Sequence, residues 1–195
     1  MSCCTGQVNN IKEAERLAGL LNNNACNSLL KKHLTKERLD ALKKRKTKLG
    51  GQLAHCIVSG CLNLDSSVGI YACDPEAYTT FSDLFDPIIK DYHKTDVLNH
   101  PKPYFGADEL KCGNLDKSGT RIVSTRVRVA RSHNGFPFPP LLTVEKRLQM
   151  ERMTVAALKL LKGELAGTYY PLSGMSKEEE EKLVKDHFLF NDSNR

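Results

Sequence analysis

Apolar residues recur every three to four positions along the first ninety or so residues, which is the period of helices laid on a shared core. Between Asn10 and Asn22, the residues Ile11, Ala14, Leu17, Ala18 and Leu21 fall on one helical face, and Asn10 is placed to cap it. A second helix is predicted from about Thr35, another N-cap, with Glu37 in its first turn and Leu39 and Leu42 inward. A third covers Gln52 to about Ser59, with Leu53, Cys56 and Ile57 turned inward. The strongest pattern runs from Thr79 to Tyr92. There Phe81, Leu84, Phe85, Ile88 and Tyr92 make one stripe, and Pro87 predicts a kink. Such stripes are core rather than ligand sites, so residues 1–95 are expected to form a small all-α domain.

The pattern then changes. Residues 94–118 carry Pro101, Pro103, Gly106 and Gly113 among polar positions, so 96–118 reads as a linker. From 121 to 130 the alternation has a period of two, predicting a β-strand. Val123, Thr125, Val127 and Val129 share one face of it, and Ser124, Arg126 and Arg128 share the other. After a Pro-rich turn at 135–140, a long helix is predicted from Thr143, striped by Leu148, Met153, Ala157 and Leu160. A shorter helix begins at Ser176, which forms a capping-box pattern with Glu179. Gly167 to Leu172 and Phe188 to Phe190 are strand-like runs.

Arg126 and Arg128 lie about 7 Å apart on one strand face. Guanidinium forks bind phosphate oxygens bidentately and keep their charge at any working pH. The pattern fits a polyanion site, and equally a solvated edge strand whose charges block aggregation.

Ser124-Thr125-Arg126-Val127-Arg128, followed by Ala130-Arg131-Ser132, resembles the nucleotide-binding strand of the phosphagen (guanidino) kinases. The resemblance extends along most of the chain. Leu64-Asp65-Ser66-Ser67-Val68-Gly69-Ile70-Tyr71-Ala72 is similar to the family's guanidino-substrate loop in its arginine-using members. Phe85-Asp86-Pro87-Ile88-Ile89 with Asp91-Tyr92-His93, then Gly167 to Leu172, then Asp186-His187-Phe188-Leu189-Phe190, resemble further family blocks in the same order.

That resemblance implies transfer of the ATP γ-phosphoryl to a guanidinium nitrogen, with ATP/ADP and Mg²⁺ as nucleotide and metal and arginine as the guanidino substrate. Phosphoryl transfer asks a protein mainly for alignment and charge neutralisation. It implies ATP-binding roles for Ser124, Thr125, Arg126, Val127, Arg128 and His187. Ser66, Ser67, Val68, Gly69, Ile70 and Tyr71 would hold the amino-acid end of the substrate, where successive backbone N–H groups can grip a carboxylate. Asp65 and Arg195 match a pair that bridges the two domains in the family. The chain departs from the pattern at Ser67, where glycine is usual.

The fold implied is a small all-α N-terminal domain (1–95), the linker, and at 119–195 the truncated start of an α+β catalytic domain with an antiparallel sheet. The family's catalytic carboxylate, reactive cysteine, remaining phosphate-binding arginines and mobile second substrate loop would lie beyond residue 195. The chain is therefore expected to be an N-terminal fragment with no catalytic residue of its own. The alternatives are a kinase for another guanidino compound such as taurocyamine, or a non-catalytic remnant that binds nucleotide or a partner.

Charge and cysteines add little to this. The net charge is +6, and its densest run, Lys43 to Lys48, has no interleaved aromatics, so it reads as a solvated helix end rather than a nucleic-acid surface. The seven cysteines are scattered without a Cys-x-x-Cys pair, so no metal site is indicated. No run approaches a membrane span and the first residues lack a signal-peptide core, so a cytoplasmic home is expected.

Overall fold

The structure, a computed structural model, describes residues 10–96, 99, 102–104, 106, 113–123, 125 and 130–189. They fall in two compact units, Met1–Thr143 and Val144–Arg195.

The first unit is helical: α1 (Asn10–Leu20), α2 (Leu29–His33), α3 (Lys36–Leu42), α4 (Leu53–Leu62), α5 (Ala77–Thr80) and α6 (Ser82–His93). Helix α1 packs on α4, and α2 on α6. One core results, holding Ala14, Leu17, Leu53, Cys56, Ile57, Phe81, Leu84 and Ile88. Those inward positions are among the ones the periodicity selects; of the others, Ile11, Ala18 and Leu39 are half-buried, and Tyr92 is 59% exposed and lies edge-on to His93. Thr35 caps α3 as its sequence suggests, accepting the Arg38 N–H at 3.4 Å.

Two features differ from the pattern. Helix α2 is too short for a periodicity to register, and tertiary ties hold it. Its N-cap Ser28 accepts the Lys31 N–H at 3.2 Å, and its last turn meets Asp91 of α6 through Lys32 (2.6 Å) and His33 (2.8 Å). Lys94 reaches the same carboxylate at 2.9 Å. Lys32 first, then His33 and Lys94, hold the Asp91 carboxyl well below the usual carboxylate range. The second difference is the break in the Thr79–Tyr92 stretch. It falls at Phe81, whose backbone leaves the helical region at φ −114°, ψ 29°, while α6 runs on through Pro87. Phe81 itself is fully buried, so the core takes its ring at the cost of helical continuity.

A polar knot sits beside this core. Buried Asp74 accepts the Thr47 hydroxyl on one oxygen and the Ala77 N–H, at 2.9 Å, on the other. The Gly51 N–H completes it by donating to Thr47 Oγ1 at 2.8 Å. A side chain at Gly51 would collide with Cys73 Sγ at 2.4 Å. Cys26, Cys56, Cys61 and Cys73 are all buried free thiols, and burial pushes the Cys61 thiol up to about 12. Farther along, Phe138 donates its N–H to the Cys73 carbonyl at 2.9 Å, and Phe138 and Leu141 pack on the core.

Among the described residues the one β-pairing is an isolated bridge between Lys46 and Gln52. Of the strand expected over 121–130, Arg121, Ile122, Val123, Thr125 and Ala130 are described and carry no ladder. The Asp116 carboxylate takes the N–H groups of Arg121 (2.6 Å) and Ile122 (2.8 Å). Those donors, Ile122 first, with the Ser118 hydroxyl, hold the Asp116 carboxyl well below its ordinary range. Val123 is 95% exposed.

The second unit contains α7 (Val144–Leu158) and α8 (Lys177–Lys185). Ser176 and Glu179 form the capping box that their spacing predicts, with Ser176 Oγ accepting from Glu179 N at 3.2 Å and Glu179 Oε2 accepting from Ser176 N at 3.3 Å. The stripe on α7 is not buried: Leu148 is 47% and Met153 48% exposed. The runs 167–172 and 188–189 are irregular. The N–H groups of Phe188 and Leu189 fold back onto the Leu183 carbonyl, at 2.9 and 3.1 Å, so neither is left for a ladder. Phe190, the end of that run, lies outside the described residues.

Candidate functional site

The candidate substrate loop runs from Asp65 to Tyr71, between α4 and α5, and is held from three directions. Its beginning is anchored by the Ser66 N–H, which donates to the Asn63 carbonyl at 3.0 Å. The carbonyls of Ser67 and Val68 then accept the N–H groups of Leu29 and Leu30, each at 2.9 Å. These two donors open helix α2 and have no partner inside it, so the loop supplies the acceptors that a helix start lacks. At the far end the Tyr71 N–H donates to the Cys56 carbonyl on α4 at 2.9 Å.

Gly69 occupies the left-handed region at φ 82° and is buried. A Cβ there would crowd Leu30 Cβ at 3.0 Å and Ser28 Cβ at 3.1 Å, so both conformation and space call for glycine. On its other side Gly69 lies against Gly60 of α4. A Cβ on Gly60 would fall 2.0 Å from the Gly69 carbonyl oxygen.

With its carbonyls committed to α2, the loop leaves a row of donors. Among the described residues, the N–H groups of Ser67, Val68, Gly69 and Ile70 meet no protein acceptor. Buried backbone donors rarely go unsatisfied, and of these residues Gly69 and Ile70 are buried while Ser67 is exposed; consecutive donors can form a concavity suited to a carboxylate or phosphate. Val68, Ile70 and Tyr71 also line a groove of about 830 Å³, whose other walls include Phe85, Ile88 and Phe138. Tyr71 is half exposed, with its side chain in that groove. Of the four donor residues, Val68 and Ile70 line this groove.

Asp65 and Thr125 are exposed residues of the same unit. Ser124, Arg126, Val127, Arg128 and Arg195 lie outside the described residues. His187 belongs to the second unit. It is exposed, with φ 62°, and its N–H donates to Val184 O at 3.1 Å just past the end of α8. Among the described residues no cluster of three or more His, Cys, Asp or Glu side chains could hold a metal ion. Ser28, Leu29, Leu30 and Gly60 shape the loop yet carry no motif. The one sequence signal was Gly60, a glycine inside an apolar helical run.

Comparison with known proteins decides what this arrangement belongs to. The sequence model described as "ATP:guanido phosphotransferase, N-terminal domain" matches residues 24–90, and "ATP:guanido phosphotransferase, C-terminal catalytic domain" matches residues 149–195. The chain belongs to the ATP:guanido phosphotransferase family. Within that family it is 61% identical over 171 residues to an arginine kinase of Haliotis madaka, a match covering 87% of this chain and 48% of the relative. An arginine kinase of Amphioctopus fangsiao is 59% identical over 184 residues, covering 93% and 53%. The chain thus spans about half the length of these relatives.

Solved structures of the family share the fold. The duplicated taurocyamine kinase of Schistosoma mansoni, bound to transition-state-analogue components, superposes with a TM-score of 0.77 at 43% identity, covering 91% of this chain and 25% of that one. A lombricine kinase superposes with a TM-score of 0.69 at 30% identity, covering 88% of this chain and 48% of that one.

Proposed function

We propose that this protein is an ATP:guanidino phosphotransferase that moves the γ-phosphoryl of ATP to arginine, giving phosphoarginine. The observation that carries the reading is the row of N–H groups from Ser67 to Ile70, unclaimed by any described acceptor and held rigidly between α2 and α4. An α-carboxylate matches that row, and the apolar groove beside it suits the methylene stem of arginine. Ser66 and Tyr71 flank the row with hydroxyls. The identity to arginine kinases favours arginine over taurocyamine or another guanidino compound.

The nucleotide half of the reading rests on Ser124, Thr125, Arg126, Val127 and Arg128, with His187 toward the adenosine. The guanidinium groups of Arg126 and Arg128 would pair with ATP phosphates, whose remaining negative charge Mg²⁺ would help neutralise when bound. The reading includes a helical substrate domain over 1–95, a linker over 96–118 and, from 119, the opening of an α+β catalytic domain with an antiparallel sheet. In it Asp65 and Arg195 pair across the two domains. We place the protein in the cytoplasm, acting on small molecules and not on nucleic acid. Among the described residues, no helix is long and apolar enough to cross a membrane.

Titration calorimetry tests the nucleotide half. Mg-ADP binding is expected to weaken in Arg126→Ala and Arg128→Ala, and in the Arg→Lys variants too, because a point charge does not replace a bidentate fork. Unchanged affinity in both Ala variants would leave the arginines as ordinary surface charge. The 195 residues alone are expected to show no turnover in a coupled Mg-ATP and arginine assay, since the family's catalytic carboxylate lies outside them.

A further inference from the structure

Gly60 stands in the last turn of α4, two residues before its end. Glycine within a helix is less favourable than alanine, so its place calls for a packing reason. The reason is Gly69. A Cβ built on Gly60 would fall 2.0 Å from the Gly69 oxygen, 2.4 Å from its Cα and 2.5 Å from its carbonyl carbon, all of them backbone atoms unable to rotate aside. Gly19, in α1, has open space around its corresponding position, so a helical glycine in this protein is not crowded by default. A Cβ built on Gly69 would in turn meet Leu30 Cβ at 3.0 Å and Ser28 Cβ and Oγ at 3.1 and 3.2 Å. The backbone at Gly69 is thus crowded both by α4 and by the residues that open α2.

We infer that Gly60 is a positioning residue for the guanidino substrate: by bearing no side chain it seats the loop backbone directly on α4 and sets where the amide row from Ser67 to Ile70 stands. This rests on the substrate-loop reading above. Any side chain at position 60 pushes Gly69 toward α2. That strains the bonds from Leu29 and Leu30 to the loop carbonyls and moves the amide row away from the carboxylate it holds. Displacements of about 1 Å in a binding frame change affinity or rate by up to about a hundredfold.

The test is amide NMR on the 195-residue chain, wild type and Gly60→Ala, with Gly19→Ala as the control for a helical glycine. In the wild type, arginine is expected to shift the amides of Ser67 to Ile70, whereas agmatine, which lacks the carboxylate, leaves them in place. In Gly60→Ala the loop resonances move while those of α6 stay, and arginine affinity falls about tenfold or more; Gly19→Ala matches wild type. A Gly60→Ala chain whose loop shifts and arginine affinity equal wild type overturns the inference and leaves the substrate-loop reading standing. Wild-type loop amides indifferent to arginine overturn the substrate-loop reading and this inference with it. Should Gly60→Ala fail to fold, nuclear Overhauser contacts between the α-protons of Gly60 and Gly69 in the wild type decide the geometry. Their absence overturns the inference.

Discussion

Single residues carry the electrostatic ties of the helical unit, and Asp91 is the clearest. Its carboxylate gathers Lys32, His33 and Lys94 and is held below its ordinary range. A depressed carboxyl contributes stability that is fully present above the unfolded pKa and is lost as pH falls through the folded one. Asp91→Asn should therefore lower the thermal midpoint at pH 7. Its deficit against wild type should begin to shrink below about pH 4, where the unfolded aspartate protonates. A deficit that stays constant from pH 7 to pH 2 would show that packing, not charge, makes the tie. None of this was legible in the sequence, because Lys32 and Asp91 are 59 positions apart. The glycine at 69 was legible as part of a motif. Its physical reason, a left-handed backbone wedged between Ser28 and Gly60, needed the fold.

At the scale of elements, what could be read was whatever is local. The N-cap at Thr35, the capping box at Ser176 and Glu179, and the inward faces of α1, α4 and α6 follow from spacing alone. Helix α2 could not be read, since its start is satisfied by the carbonyls of a loop nearly forty positions away. The break at Phe81 was also hidden, because Pro87 looked like the natural place for one. Burying the Phe81 ring sets that break. Phe81→Ala should cost roughly 3–5 kcal/mol by chemical denaturation. A loss under about 1 kcal/mol would mean the core closes over the gap and the break has another cause. The alternation over 121–130 asked for a strand, but a strand is stable only with a neighbour to take its backbone groups. Among the described residues there, the Asp116 carboxylate takes two of them instead.

At the scale of the molecule, the two units differ in what they bury. The first has a core of fully buried side chains, whereas no described residue of the second is buried. Hydrogen exchange should therefore be slow along α6 and fast along α7 and α8. Equal protection in the two units, on a chain shown to be monomeric, would mean that the second finds a core of its own. The motif order made the family legible, and the packing of Gly69 against Gly60 gives the Asp65–Tyr71 loop a physical basis. We propose that this loop, with Arg126 and Arg128, serves phosphoryl transfer to arginine. That role is tested most directly by joining residues 1–195 to the remaining half of the Haliotis madaka arginine kinase and assaying Mg-ATP with arginine, taurocyamine and lombricine. The account predicts turnover with arginine well above the other two, and its loss in Arg126→Ala. A soluble, folded chimera that prefers taurocyamine or lombricine, or that keeps full arginine turnover in Arg126→Ala, would contradict it.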